Sequence, residues 1–181
     1  MMPPVRRVVT GQTSEGKHTF THVEAVEPLD MGGDAKWYPV WGWERLPTLP
    51  HCPPGAYEPR SVFPASGGMR VNMVSFPAGF GTDKAPESPV PPAERFLKLA
   101  AAQSTGGEFD HDVGMHSTDS VDLGFIFSGE LTLIQGDGSE ATIRAGDVLV
   151  QNGAIHAWEN RGDQPCMACF VVMGADRNAA A

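Results

Sequence analysis

His116, Asp122 and His156 are the residues of this chain whose types are best suited to chemistry. Imidazole nitrogen and carboxylate oxygen suit borderline or hard divalent ions, and two histidines with one carboxylate make a facial set that leaves positions open for water or substrate. Without a metal, the same histidines would act as hydrogen-bonding or acid–base groups, because imidazole titrates near neutrality and Asp122 could orient one ring. A purely structural role is the third reading, and all three stay open at this point. Asp119 and Trp158 are the catalytic candidates beside them. Asp119 is either a second carboxylate at the rim or a turn residue bonding its own backbone. Trp158 shares strand parity with His156 and either walls the pocket or packs in the core.

Other polar and aromatic residues carry weaker signals. Arg70 and Asn72 share parity on an alternating segment, Met69 to Phe76, and would face either substrate or solvent. Trp37, Trp41 and Trp43 amount to too much apolar surface for a free loop, so they are expected to pack on the body of the fold or on a partner subunit. His18, His22, His51 and His111 match no motif; His111 is near enough to His116 to be a spare ligand, but a place in a solvated loop is the favoured reading. Cys52, Cys166 and Cys169 form an odd set. On a strand, Cys166 and Cys169 would point to opposite faces, so buried free thiols are expected rather than a chelating pair.

The elements that must position these residues divide the chain in two. Fifteen of the 16 prolines fall at or before Pro92, so the front is expected to wrap rather than to supply long central strands or helices. Short strands are still readable at Arg6 to Thr10 and His18 to His22. Strong helix formers from Ala93 to Gln103, with prolines just ahead, predict one short helix. The back half reads as strands at Gly124–Phe127, Glu130–Gln135, Ala141–Arg144, Asp147–Gln151, Ile155–Glu159 and Cys166–Met173, separated by turn chemistry such as Ser128-Gly129, Gly136-Asp137-Gly138 and Asn152-Gly153. Many short strands without alternating helices predict an all-β, antiparallel architecture, closed or sandwiched to hide its edges.

A length of 181 residues suits one domain with a real core. The formal charge of -9 argues against a nucleic-acid partner, which would need clustered Lys and Arg. The start, Met1-Met2-Pro3-Pro4-Val5-Arg6-Arg7, is followed by polar residues rather than an apolar run, so neither a secretory signal nor a membrane span is expected and a cytoplasmic location is the default.

Two blocks carry a resemblance. The first runs from His116 through Thr118 and Asp122 to Gly129, and the second from Gly146-Asp147 through Gly153 and His156 to Asn160. Together they resemble the two motifs of a small single-domain cupin. In that family the first motif has two histidines, a glutamate and a glycine, so Thr118 stands where the second histidine is usual and Asp122 where the glutamate is. In the second motif, Asn152 replaces a usual proline. With the opening Arg6-Arg7-Val8-Val9-Thr10-Gly11, the pattern is similar to a group of bacterial cupins of mostly unassigned activity.

The resemblance implies a cupin barrel (double-stranded β-helix, or jelly roll) with a Pro-rich N-terminal arm and one short helix. The expected layout is an arm over 1–68 with added strands, a barrel over 69–175 with a helical insertion near 92–104, and a frayed tail over 176–181. It also implies a divalent metal ion (Fe, Zn, Mn or Ni) on His116, Asp122 and His156, a small-molecule ligand, and a homodimer formed through the N-terminal arm. Since this fold hosts many chemistries, the function expected is a metal-dependent enzyme acting on an oxygenated or carboxylated organic compound, as a dioxygenase or as a lyase or dehydratase. The alternative is a non-catalytic ligand-binding or sensor cupin without bound metal.

Overall fold

A computed structural model describes residues 4–50, 57–85, 91–102 and 114–178, together with the backbone of 109–110. The elements in chain order are β1 (Arg6–Gln12), β2 (His18–Ala25), β3 (Leu29–Gly32), β4 (Ala35–Trp43), β5 (Met69–Phe76), α1 (Glu94–Ala101), β6 (Phe109–Asp110), β7 (Met115–His116), β8 (Ser120–Ser128), β9 (Glu130–Gln135), β10 (Glu140–Arg144), β11 (Val148–Gln151), β12 (His156–Glu159) and β13 (Cys166–Gly174). Every strand pairing among the described residues is antiparallel.

Alternation of side chains decides what each sheet buries. In β8, Ser120, Asp122, Gly124 and Ile126 face inward while Val121, Leu123, Phe125 and Phe127 face out. A six-stranded sheet, in the order β11-β8-β13-β5-β4-β3, lies against a five-stranded one, in the order β10-β9-β12-β7-β6. Their inner faces enclose the main apolar core: Val74, Phe76, Ile126 and Ala168 come from one sheet, and Leu131, Leu133 and Ile143 from the other. The expected all-β, antiparallel architecture is what forms. Gly129, with φ at +73°, makes the tight reversal from β8 to β9, where a Cβ would lie 2.8 Å from the Pro165 carbonyl oxygen.

The helix forms close to its expected span, over Glu94–Ala101. Its amphipathic face explains its seat: Leu99 is buried in the main core, and Phe96 meets the buried Trp37 edge-on at 5.8 Å between ring centroids. On the outer side, Glu94 and Lys98 form an exposed ion pair one turn apart.

The front half differs from expectation. It contributes real strands, including β4 of nine residues with Pro39 inside it. Proline lacks the N–H that a central strand needs, yet β3 pairs β4 only between Ala35 and Trp37, so Pro39 sits on an open edge beside a register shift. The β1–β2 hairpin lies against the outer face of the larger sheet through a second apolar cluster: Val5, Val26 and Met167 with Tyr38, Val40 and Met73 around them. Arg7 locks that contact by donating to the Val40 carbonyl at 3.0 Å and stacking over Trp41 and Tyr57. Cys166 and Cys169 are free thiols, as expected, and burial pushes the Cys166 thiol up to about 11.

Candidate functional site

His116 is the last residue of β7 and His156 the first of β12, and the two are direct partners across the strands. Their rings stand 4.4 Å apart between centroids, inclined at 47°. Each ring uses Nδ1 on a backbone carbonyl two residues upstream: His116 on Gly114 at 3.1 Å and His156 on Ala154 at 2.8 Å. A carbonyl only accepts, so Nδ1 carries the proton in both rings and Nε2 carries the lone pair.

Burial keeps both rings neutral. His156 is 3% exposed, and burial, with the repulsion that a protonated His116 would add, lowers it to about 4. Burial lowers His116 as well. Trp158 meets His156 edge-on at 5.4 Å and Phe170 of the opposite sheet at 5.5 Å, so the histidine pair has an aromatic wall.

Asp122 faces inward from the opposite sheet. It is 8% exposed, its Oδ1 has no hydrogen-bond partner, and burial raises its carboxyl to about 6 against a hydrogen bond donated by Ser120. Ser120 in turn shares a 2.8 Å hydroxyl contact with Thr118. Gln151, directly opposite Asp122 on β11, gives its amide N–H to the Ala154 carbonyl at 3.4 Å.

Arg177 ties the two histidine-bearing segments at one end of the barrel. Its guanidinium donates to the Thr118 carbonyl at 2.8 Å, to the Gly153 carbonyl at 3.1 Å and to the Asp119 carboxylate. Asp119 therefore spends its carboxylate on Arg177, while its carbonyl accepts from the Ala175 N–H at 2.9 Å. Arg177 belongs to the segment expected to fray, and it is docked; residues 179–181 lie outside the described chain.

Of the three expected metal donors, two stand together. Among the described residues no group of three or more His, Cys, Asp or Glu side chains is placed to hold a metal ion, so Asp122 does not complete a cluster with His116 and His156. The imidazole pair itself, with both Nε2 atoms unprotonated, has the tautomer that metal-bound histidines adopt. His51, His111 and Cys52 lie outside the described residues.

Arg70 and Asn72 are both buried rather than exposed. Arg70 gives its guanidinium to the Ser61, Trp43 and Met69 carbonyls and to Glu44, a structural role. Sequence reasoning missed Gln151, Ser120, Phe170 and Arg177. The first was legible as a polar residue at an inward position of an apolar strand, whereas nothing local marks Arg177, whose partners are distant in sequence.

Residues 106–173 match the family model described as Cupin domain, so this chain carries a cupin domain, and its paired sheets form the cupin barrel. It is similar to Phomopsin biosynthesis cluster protein C' of Diaporthe leptostromiformis, at 43% identity over 47 residues, which are 26% of this chain and 25% of that protein. It is also similar to the cupin-domain-containing oxidoreductase srdB of Neurospora crassa, at 36% identity over 50 residues, 28% of this chain and 26% of that one. The chain spans about a quarter of the length of these relatives. Among solved structures, a Cupin 2 conserved barrel domain protein from Salinispora arenicola CNS-205 is 14% identical with a TM-score of 0.43, covering 81% of this chain and 82% of that one. No helix among the described residues is long and apolar enough to cross a membrane.

Proposed function

We propose that this cupin is a metal-dependent enzyme acting on a small oxygenated or carboxylated organic compound, with the His116–His156 pair as its chemical centre. One observation carries the reading: two neutral imidazoles lie 4.4 Å apart, each fixed by a backbone carbonyl so that Nε2 holds the lone pair. A divalent ion held there would supply Lewis acidity or a seat for dioxygen. The protein's own part is to orient both rings, to keep them unprotonated by burial, and to exclude water with Trp158 and Phe170. Trp158 shapes the pocket by contact, and Asp119 acts at a distance, by holding Arg177 against the two histidine-bearing segments. The similarity to a named cupin-domain oxidoreductase favours oxidation over lyase or dehydratase chemistry, over the matched quarter of that relative.

The test is cobalt uptake read by visible absorbance. Wild-type protein is expected to bind one Co²⁺ per chain, and His156→Ala to weaken binding at least about thirtyfold, the loss of one of few donors. Equal uptake by both proteins would overturn the reading.

The absence of a three-donor group among the described residues favours a second reading, a metal-free binding module. In that case small acids and alcohols would raise the melting temperature without turnover.

We also propose that a second copy of the chain is the partner, through the front half and the outer sheet face. The hairpin exposes Val8, Phe20 and Val23, and the outer face of the larger sheet exposes Phe127, Val148 and Val150. A cytoplasmic location belongs to the same proposal.

A further inference from the structure

The fold satisfies its other deeply buried polar side chains with care. Asn160, fully buried, donates to the Phe76, Pro77 and Gln164 carbonyls and accepts from the Gly162 N–H. Arg70, 1% exposed, has a partner for every nitrogen. Among the described residues, four buried side-chain atoms lack a partner: Trp37 Nε1, Tyr57 Oη, Asn72 Oδ1 and Asp122 Oδ1. Only Asp122 among these is a carboxyl able to carry a negative charge near neutral pH, and leaving a buried acceptor unmatched costs about 1–3 kcal/mol, more when it is ionised.

Its position says what would match it. Asp122 lies on the same inward face of β8 as Ser120, just beyond Thr118, and Arg177 binds the Thr118 and Gly153 carbonyls together, so Asp122 belongs to the end of the barrel that holds both histidines. The Trp158–Phe170 contact bridges the two sheets beside His156. Gln151 is committed to the Ala154 carbonyl. Asp122 Oδ1 is thus a buried acceptor left without a partner, on the sheet that faces the histidine pair.

We propose that Asp122 is a ligand-anchoring residue rather than a third metal donor, and that its Oδ1 accepts a hydrogen bond from a hydroxyl or amine on a small molecule with an apolar body. Ser120 orients the carboxyl by donating to it, and Thr118 steadies Ser120. This rests on the reading that a small molecule occupies the barrel beside the histidine pair. It narrows the substrate to one that brings a hydrogen-bond donor and an apolar face, the latter to lie on Trp158 and Phe170.

The test uses Asp122→Leu, which keeps the shape and removes the acceptor, and two probes of equal size, benzyl alcohol and ethylbenzene. Binding is followed by chemical-shift titration of the Trp158 indole signal. In Asp122→Leu, the ratio of affinities for the alcohol over the hydrocarbon is expected to fall about tenfold or more, the worth of one hydrogen bond to a charged group. In parallel, Asp122→Leu should bind Co²⁺ within about threefold of wild type while His156→Ala loses it.

An affinity ratio unchanged by the substitution, failure of wild-type protein to bind either probe, or cobalt loss in Asp122→Leu equal to that in His156→Ala would overturn the proposal. A wild type that discriminates the alcohol through Asp122 but takes up no cobalt would remove the metal reading alone. Asp122→Ala gives the same readouts if the leucine variant does not fold.

Discussion

At the residue scale, the two ionisable sides of the barrel respond to pH in opposite directions. Burial raises Asp122 from 3.8 to about 6, so the folded chain holds that proton more tightly than the unfolded one. The stability it contributes is full below the lower value and is lost as the pH rises through 6. His156 is lowered from 6.5 to about 4, so its contribution is lost as the pH falls through that window. In metal-free protein, Asp122→Leu should therefore be more stable than wild type at pH 8 by about 2 kcal/mol, with the gain shrinking toward pH 4. Urea melts at the two pH values check this, and an equal gain at both would contradict the account. A substitution that stabilises is what a side chain kept for binding, not for folding, should produce.

At the element scale, the site depends on the turn that delivers β12. Gly153 has φ at +64°, and a Cβ there would lie 3.0 Å from the Thr118 carbonyl oxygen, in the gap where Arg177 joins the two segments. Gly153→Ala should cost about 1–2 kcal/mol in thermal melts and weaken cobalt binding, because the strain falls on the segment that carries His156. Unchanged melting and cobalt affinity would show that the turn does not position the ring. The back-half strands were legible because Gly and Asn mark their turns and apolar residues alternate between them. The front half was less so, since proline argues against a strand and only the three-dimensional fact that β4 runs past the end of β3 makes Pro39 harmless. The contribution of Arg177 was invisible for a related reason: its partners Thr118 and Asp119 lie far away in sequence, and a terminal arginine gives no local sign of docking.

At the scale of the whole molecule, the barrel could be read from the two histidine blocks, whose spacing places both rings at one end of one closed structure. The adjacency of His116 and His156 follows from strand pairing. That no three-donor group forms among the described residues does not, because periodicity tells which residues share a face of one sheet but not how side chains of facing sheets meet. Assembly is likewise a property of the whole surface. If the exposed hairpin and outer sheet face meet a second copy, Phe20→Glu, at a residue 66% exposed in the single chain, should halve the mass measured by light scattering while leaving the far-ultraviolet dichroism unchanged. An unaltered mass would place the contact elsewhere or show that the chain is monomeric.

The central claim is that two neutral imidazoles, His156 buried and His116 half-buried, present unprotonated Nε2 atoms side by side, and nitrogen-15 NMR of the histidine rings at pH 7 tests it most directly. The account predicts that His116 and His156 both show the Nδ1–H tautomer and that zinc shifts both Nε2 signals together. Cationic rings, protons on Nε2, or zinc moving neither resonance would contradict it.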